Sequence, residues 1–137
     1  MNPTLKNILA VIIGLIIGGV SNMFIIKISG SIIPPPNGAD VTTMEGLKES
    51  LHLFEPKHFL FPFLAHAIGT LIGAFTTVKI ADTNKKKMAL VVGGFFLLGG
   101  VINVFILPGP IWFNAIDIIF AYIPMALIGQ NLARTKN

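Results

Sequence analysis

Long apolar runs alternate with short polar stretches along this chain. A helix needs about 20 residues to cross the hydrocarbon core of a bilayer, and four of the runs are about that long or longer: residues 5–33, 59–80, 88–107 and 111–132. Most charged residues, twelve of sixteen, fall outside these runs. The pattern predicts an all-α polytopic membrane protein, a four-transmembrane-helix bundle that forms a single transmembrane domain over residues 1–137.

Small residues recur at helical spacing on one face of the predicted spans. Gly14 and Gly18 do so in span one, and Ala65, Gly69 and Gly73 do so in span two. Such faces let helix backbones approach closely inside a membrane. Because four spans can bury these faces against each other, we expect packing within the chain. A homo-oligomer or a larger membrane complex stays open as the alternative.

The longest connection, residues 34–58, also carries a helical pattern. Pro34, Pro35 and Pro36 end span one, because proline has no amide hydrogen and disfavours a helical residue before it. Thr42 and Glu45 have the spacing of a capping box. An apolar stripe follows at Met44, Leu47, Leu51 and Phe54. The segment predicts a short extracytoplasmic amphipathic helix that ends before Pro56 and lies at the interface or caps the bundle.

Composition and charge agree with a membrane protein. With 53% hydrophobic and 12% charged residues, the chain is unlike an ordinary soluble domain. The net charge of +4 comes from basic residues in short loops beside the spans, which favours a topology signal and no nucleic-acid partner. The absence of cysteine removes disulfides and thiolate chemistry from consideration.

Lysine and arginine counts predict the orientation. With both termini cytoplasmic, the outer side carries Lys48 and Lys57, and Lys27 lies at the outer boundary. The inner side then carries Lys6, Lys79, Lys85, Lys86, Lys87, Arg134 and Lys136. This is the positive-inside distribution. So compact a chain, without a targeting extension, favours a bacterial inner membrane.

Each span carries a polar residue on its small-residue face. In the predicted orientation these residues lie in the outer half of the membrane: Asn22, His66, Asn103 and Asp117. A carboxylate at the bilayer centre costs about 2.5 to 3.5 kcal/mol on insertion scales, so Asp117 needs a partner, a proton or water. Either the layer fixes the register of the helices, or it binds a proton, a cation or a polar head group, with Lys27 at its outer edge.

A metal site is a further hypothesis. Glu49 and His52 have the i, i+3 spacing found in carboxylate-bridged metal sites. Together with His58, His66 and Asp117 they would offer nitrogen and oxygen ligands that suit zinc, iron or manganese as a divalent cofactor. The alternative is that Glu49 and His52 form the solvated side of the amphipathic helix.

The sequence contains no recognisable catalytic motif and no motif specific to a known family. The first functional hypothesis is a small membrane protein of the binding or transport type, or an accessory subunit, with its polar site around His66 and Asp117. The alternatives are a membrane-embedded, metal-dependent enzyme and a purely structural or assembly protein. The partner common to all three is the lipid bilayer.

Overall fold

The computed structural model of the chain describes residues 1–134, and these form helices and loops without a strand. The helices are α1 (Pro3–Ile32), α2 (Met44–Ser50), α3 (Leu60–Ile80), α4 (Lys85–Ile106), α5 (Ile111–Phe120) and α6 (Ile123–Arg134), with 3₁₀ turns at Leu51–Leu53 and Pro56–Phe59. Four helical segments are long and apolar enough to cross a membrane: Pro3–Ile32, Pro56–Ile80, Lys85–Ile106 and Ile111–Arg134. The predicted all-helical fold with four span-like helices is therefore confirmed. Lys136 lies outside the described residues.

Helix α3 is the centre of the bundle, because it packs against α1, α4 and α6. Its buried positions are mostly small, so three helices can approach it: Ala65, Ala67, Gly69, Thr70, Gly73, Ala74, Thr77 and Val78. We call the end of the bundle that carries α2 and the 107–110 turn the loop end. The opposite end carries the N-terminus, the 81–84 loop and the end of α6, and we call it the terminal end.

Helices α1 and α3 touch backbone to backbone through their glycines. A Cβ atom added at Gly18 would lie 2.6 Å from the carbonyl oxygen of Gly69, and one added at Gly73 would lie 2.8 Å from that of Gly14. Thr77 adds a hydrogen bond of 3.0 Å from its hydroxyl to the Ala10 carbonyl. The prediction that these small-residue faces pack within the chain is confirmed.

Only the first half of α1 is tightly packed. Its buried residues are Asn7, Ala10, Gly14 and Gly18, and no residue of α1 beyond Gly18 is buried. At the terminal end, the Asn7 side chain is tied to the 81–84 loop: Oδ1 accepts the Asp82 amide at 2.9 Å and Nδ2 donates to Thr83 Oγ1 at 3.0 Å. Toward the loop end, cavities separate α1 from α3 and α4.

The loop helix begins one residue later than its predicted cap. Thr43, not Thr42, is the N-cap of α2, and its hydroxyl accepts the Gly46 amide at 2.9 Å. Thr42 instead donates through its hydroxyl and its amide to Asp40, at 2.5 and 3.0 Å. The Asp40 carboxylate, four residues before the helix, thus holds Thr42, which leaves the next threonine to cap. Met44, predicted in the apolar stripe, is 55% exposed.

The Thr42 hydroxyl, and then its amide, hold the pKa of Asp40 below its ordinary value. Because the folded pKa is depressed, these bonds help to order the loop above the ordinary pKa and are lost as pH falls through the lowered one. In an NMR titration, we expect the chemical shift of the Thr42 amide to stay constant until the pH falls below about 3.9, the ordinary pKa of an aspartate side chain. Thr42→Val should move the midpoint of this change at the residue-42 amide to higher pH, and Thr43→Val should not. Equal midpoints in the two variants would contradict the conclusion that Thr42 lowers the pKa of Asp40.

The fourth span-like segment is interrupted, whereas the sequence predicts a continuous helix over 111–132. Helix α5 ends at Phe120 and α6 begins at Ile123, with its first backbone hydrogen bond from the Ala126 amide to the Tyr122 carbonyl at 2.9 Å. The physical cause is Pro124, which has no amide hydrogen for the Phe120 carbonyl and whose ring would clash with it. The break lies at Ala121 and Tyr122, next to Asp117.

Candidate functional site

Three polar side chains meet at this break. His66 comes from α3, Asp117 from α5 and Tyr122 from the residues between α5 and α6. The His66 Nδ1 atom lies 2.8 Å from Asp117 Oδ1, and the Tyr122 hydroxyl donates to Asp117 Oδ2 at 2.9 Å. The His66 and Tyr122 rings stack with centroids 5.8 Å apart. We call these three residues the polar triad.

The triad gives each oxygen of the buried carboxylate a hydrogen-bond partner. Asp117 is 5% exposed and Tyr122 is 3% exposed, whereas the His66 side chain keeps 22% of its surface exposed. An ionised carboxylate only accepts hydrogen bonds, so with Asp117 ionised the hydrogen of the pair is on His66 Nδ1. The Nε2 atom of His66 is then the nitrogen left for another partner.

Gly100 on α4 makes room for the tyrosine. A Cβ atom at Gly100 would lie 2.5 Å from the Tyr122 hydroxyl oxygen and 2.7 Å from its ring. At the preceding residue, Gly99, an added Cβ would meet nothing within 4 Å. The position of Tyr122 over Asp117 therefore depends on one glycine of a neighbouring helix, and Gly99 offers a matched control.

The His66 and Asp117 side chains line a partly open cavity of about 240 Å³ at the loop end, which we call the loop cavity. Its roof is formed by Leu47, Leu51 and Phe54, from α2 and the turn after it, and Asn103 and Asn114 supply further polar groups. Since a water molecule takes about 30 Å³ in the liquid, the space suits several waters or one small ligand. Its wall is mostly apolar, with polar groups from α3, α4 and α5.

A second cavity, of about 330 Å³, lies between α1, α3 and α4, and we call it the side cavity. Its lining includes Asn22, His66, Asn103 and Tyr122. The Oδ1 atom of Asn22 is buried and has no hydrogen-bond partner. The two cavities share His66, Gly100 and Asn103, so His66 lies between a space under the loop and a space facing α1.

The predicted polar layer is thus brought together around cavities. His66 and Asp117 are in direct contact, and Asn22 and Asn103 line cavities that His66 also lines. Asn103 is itself exposed. Lys27 lines neither of these two cavities. It lines one space with Asn22 and another with Lys57 and His58.

The residues of the metal hypothesis are not brought together. Glu49 and His52 are exposed, and His58 Nδ1 accepts the Glu55 amide at 2.8 Å. Of the five candidates, His66 and Asp117 are the pair in contact. Across residues 1–134, no group of three or more His, Asp or Glu side chains could hold a metal ion.

Tyr122 is the site residue that sequence reasoning missed. Residues five apart on a continuous helix point about 140° away from each other, so Tyr122 is not expected to reach Asp117. The break turns it back toward the carboxylate. Pro124, two residues on, is the signal in the sequence that could have indicated the break.

Comparison of the chain with protein-family models, with curated proteins and with solved structures found no match. The candidate site therefore stands on its own geometry: a buried carboxylate, held by a histidine and a tyrosine at a helix break, beside a cavity under the loop.

Proposed function

We propose that this chain is an integral protein of a bacterial inner membrane, with four spans and both termini in the cytoplasm. Support comes from the four apolar helices and from the basic residues. Lys6, Lys79, Lys85, Lys86, Lys87 and Arg134 lie near the helix ends of the terminal end. Trp112, at the start of α5 and 45% exposed, suits an interfacial anchor at the loop end.

Within that membrane, we propose a binding or transport-type protein whose ligand site is the loop cavity. The observation that carries this proposal is that the His66–Asp117 pair forms part of the cavity wall. If the pair only fixed the register of the helices, it would need its hydrogen bonds but no cavity next to them. An ionisable pair within a span and next to a cavity is typical of proton relays and of sites for polar ligands.

The break in the fourth span supports the same proposal. Discontinuous helices at the ligand site are a feature of many transporters, since irregular backbone is tolerated in a membrane where it lines a cavity or is buried in protein. Here the break is next to Asp117, and it supplies the tyrosine that holds the carboxylate. A ligand in the loop cavity would put its apolar part against Leu51, Phe54 and Phe113 and its polar group near His66.

Water access from the loop end is the first property to test. The chain contains no cysteine, so a single introduced cysteine is the only thiol. We expect Asn114→Cys, which lines the loop cavity, to react with a charged, membrane-impermeant methanethiosulfonate added to the outside of intact cells. Ala115→Cys, the next residue on α5, is the matched control: it is exposed on the helix surface and does not line the cavity. We expect it to react at least about tenfold more slowly, because a thiol facing hydrocarbon does not ionise.

Two outcomes would count against the proposal. Equal and slow reaction at both positions would mean a dry cavity, which would favour the purely structural role. Reaction of Asn114→Cys from the cytoplasmic side alone would reverse the orientation. Recovery of the protein with a larger partner after gentle extraction would favour an accessory subunit.

A further inference from the structure

A third cavity, of about 360 Å³, lies at the loop end between the last turns of α1, the 33–41 segment and the start of α3. We call it the basic cavity. Its charged or titratable lining consists of Lys27, Lys57 and His58, and no Asp or Glu lines it. It shares Ile26, Leu47, Phe54 and Pro62 with the loop cavity, but neither His66 nor Asp117 lines it.

The two lysines have no acidic partner. The ion pairs found within residues 1–134 are Lys6 with Asp82 and His66 with Asp117. Glu55, two residues before Lys57 in the sequence, is exposed and does not line the cavity. Lys27 and Lys57 are both exposed, and they bring positive charge from two separate elements to the lining of one space. Each ammonium group can donate three hydrogen bonds.

His58 adds a third donor. Its Nδ1 atom accepts the backbone amide of Glu55 at 2.8 Å, so the ring hydrogen is on Nε2. The Ser29 hydroxyl, also in the lining, donates to the Ile26 carbonyl at 2.6 Å. The polar groups of this cavity thus offer positive charge and N–H donors, which is the chemistry that recognises an oxyanion.

The rest of the lining is apolar and includes Ile33, Val41, Phe54 and Phe61. A free inorganic anion would lose hydration against these side chains without compensation. An anion joined to a hydrocarbon chain would pair its charge with the lysines and would bury its chain against these apolar side chains. Lys27 lies five residues before Ile32, the end of α1, or about 8 Å along the helix, which is a depth suited to a lipid head group in the proposed membrane.

From this we infer that the basic cavity binds a membrane amphiphile whose head group carries a net negative charge, on a phosphate or a carboxylate, through Lys27, Lys57 and His58. The site is separate from the triad. It rests on the proposed membrane location but requires no ligand at His66, so it and the ligand site in the loop cavity can fail separately.

Native mass spectrometry of the protein in a neutral detergent tests this inference. The probes are a phosphatidylglycerol, a phosphatidylcholine and a long-chain fatty acid, each added alone, with inorganic phosphate as a fourth arm. We expect one tightly bound phosphatidylglycerol or fatty acid per chain, and weak, unsaturable binding of phosphatidylcholine. The arm that saturates identifies the head group as phosphate or carboxylate.

Variants decide whether the lysines are responsible. We expect Lys27→Gln/Lys57→Gln to weaken the saturable binding about thirtyfold, from the usual attraction of two lysines for anionic lipid. Lys27→Arg/Lys57→Arg should retain it. Lys48→Gln is the matched control, because Lys48 is an exposed lysine of α2 that does not line the cavity.

Three results would overturn the inference: equal binding of phosphatidylglycerol and phosphatidylcholine, an equal loss with Lys48→Gln, or no loss in the double glutamine variant. Saturation by inorganic phosphate alone would also overturn it, because the apolar lining would then have no role. Accessibility of Asn114→Cys, measured in the same variants, should not change, and this separates the inference from the proposed function.

Discussion

Gly18→Ala is expected to destabilise the bundle by about 1–3 kcal/mol, the usual cost of an overpacked core. Its Cβ would lie 2.6 Å from the Gly69 carbonyl oxygen and 3.1 Å from the Gly73 Cα atom. These are backbone atoms, which cannot turn away as a flexible side chain does. Helices α1 and α3 would have to separate along the one part of α1 that is tightly packed.

Gly19→Ala is the matched control, because a Cβ at the next residue of the same helix meets nothing within 4 Å. Without a clash, alanine in a helix is favoured over glycine by about 0.5–1 kcal/mol. Unfolding by SDS in mixed micelles can be followed by the fluorescence of Trp112, the single tryptophan, whose ring lies 5.5 Å from that of Phe59. If both variants unfold at the same SDS fraction, the close approach of α1 and α3 is wrong.

The four apolar segments could be predicted because local chemistry determines where they begin and end, although the break within the fourth was not. Prolines stop α1 and separate α4 from α5, and the apolar runs have the length that a bilayer demands. The glycine faces could also be predicted, since spacing alone puts Gly14 with Gly18 and Gly69 with Gly73 on one side of a helix. That these two faces meet each other depends on which helices are neighbours, and spacing carries no such information.

The residues of the candidate site were predicted in part, because residue type and spacing are local properties whereas contacts between helices are not. His66 and Asp117 were recognisable as buried polar residues at similar depth, and their contact follows from the packing of α5 against α3. Tyr122 was missed because a continuous helix was assumed through Pro124. Lys27 was assigned to the edge of the polar layer, but the long 33–58 connection folds back and brings Lys57 and His58 to it. The periodicity of a connection predicts a helix, but it does not say where that connection packs on the bundle.

Asp117→Ala is expected to lower the free energy of unfolding by about 2–4 kcal/mol. The substitution leaves two donors without an acceptor, the His66 ring nitrogen and the Tyr122 hydroxyl, and each buried, unsatisfied group costs about 1–3 kcal/mol. Water from the loop cavity can reach His66, whose side chain is 22% exposed, but Tyr122 is 3% exposed. Most of the loss should therefore come from the tyrosine.

A second substitution tests that assignment. Adding Tyr122→Phe to Asp117→Ala removes the orphaned hydroxyl, and replacing both partners of a buried hydrogen bond can be nearly neutral. The double variant should therefore be more stable than Asp117→Ala by about 1 kcal/mol or more, in the same SDS titration.

Asp82→Ala is the matched control for the loss of a charge. Its carboxylate pairs with Lys6 at 3.3 Å on the surface, with 40% of the side chain exposed, and such pairs contribute about 0–1 kcal/mol. If Asp117→Ala costs no more than Asp82→Ala, the triad does not hold the helices together. If Asp117→Asn keeps the stability and also keeps Asn114→Cys reactive, the geometry of the cavity depends on the hydrogen bonds and not on the charge. The charge of Asp117 would then be available to bind a proton or a ligand.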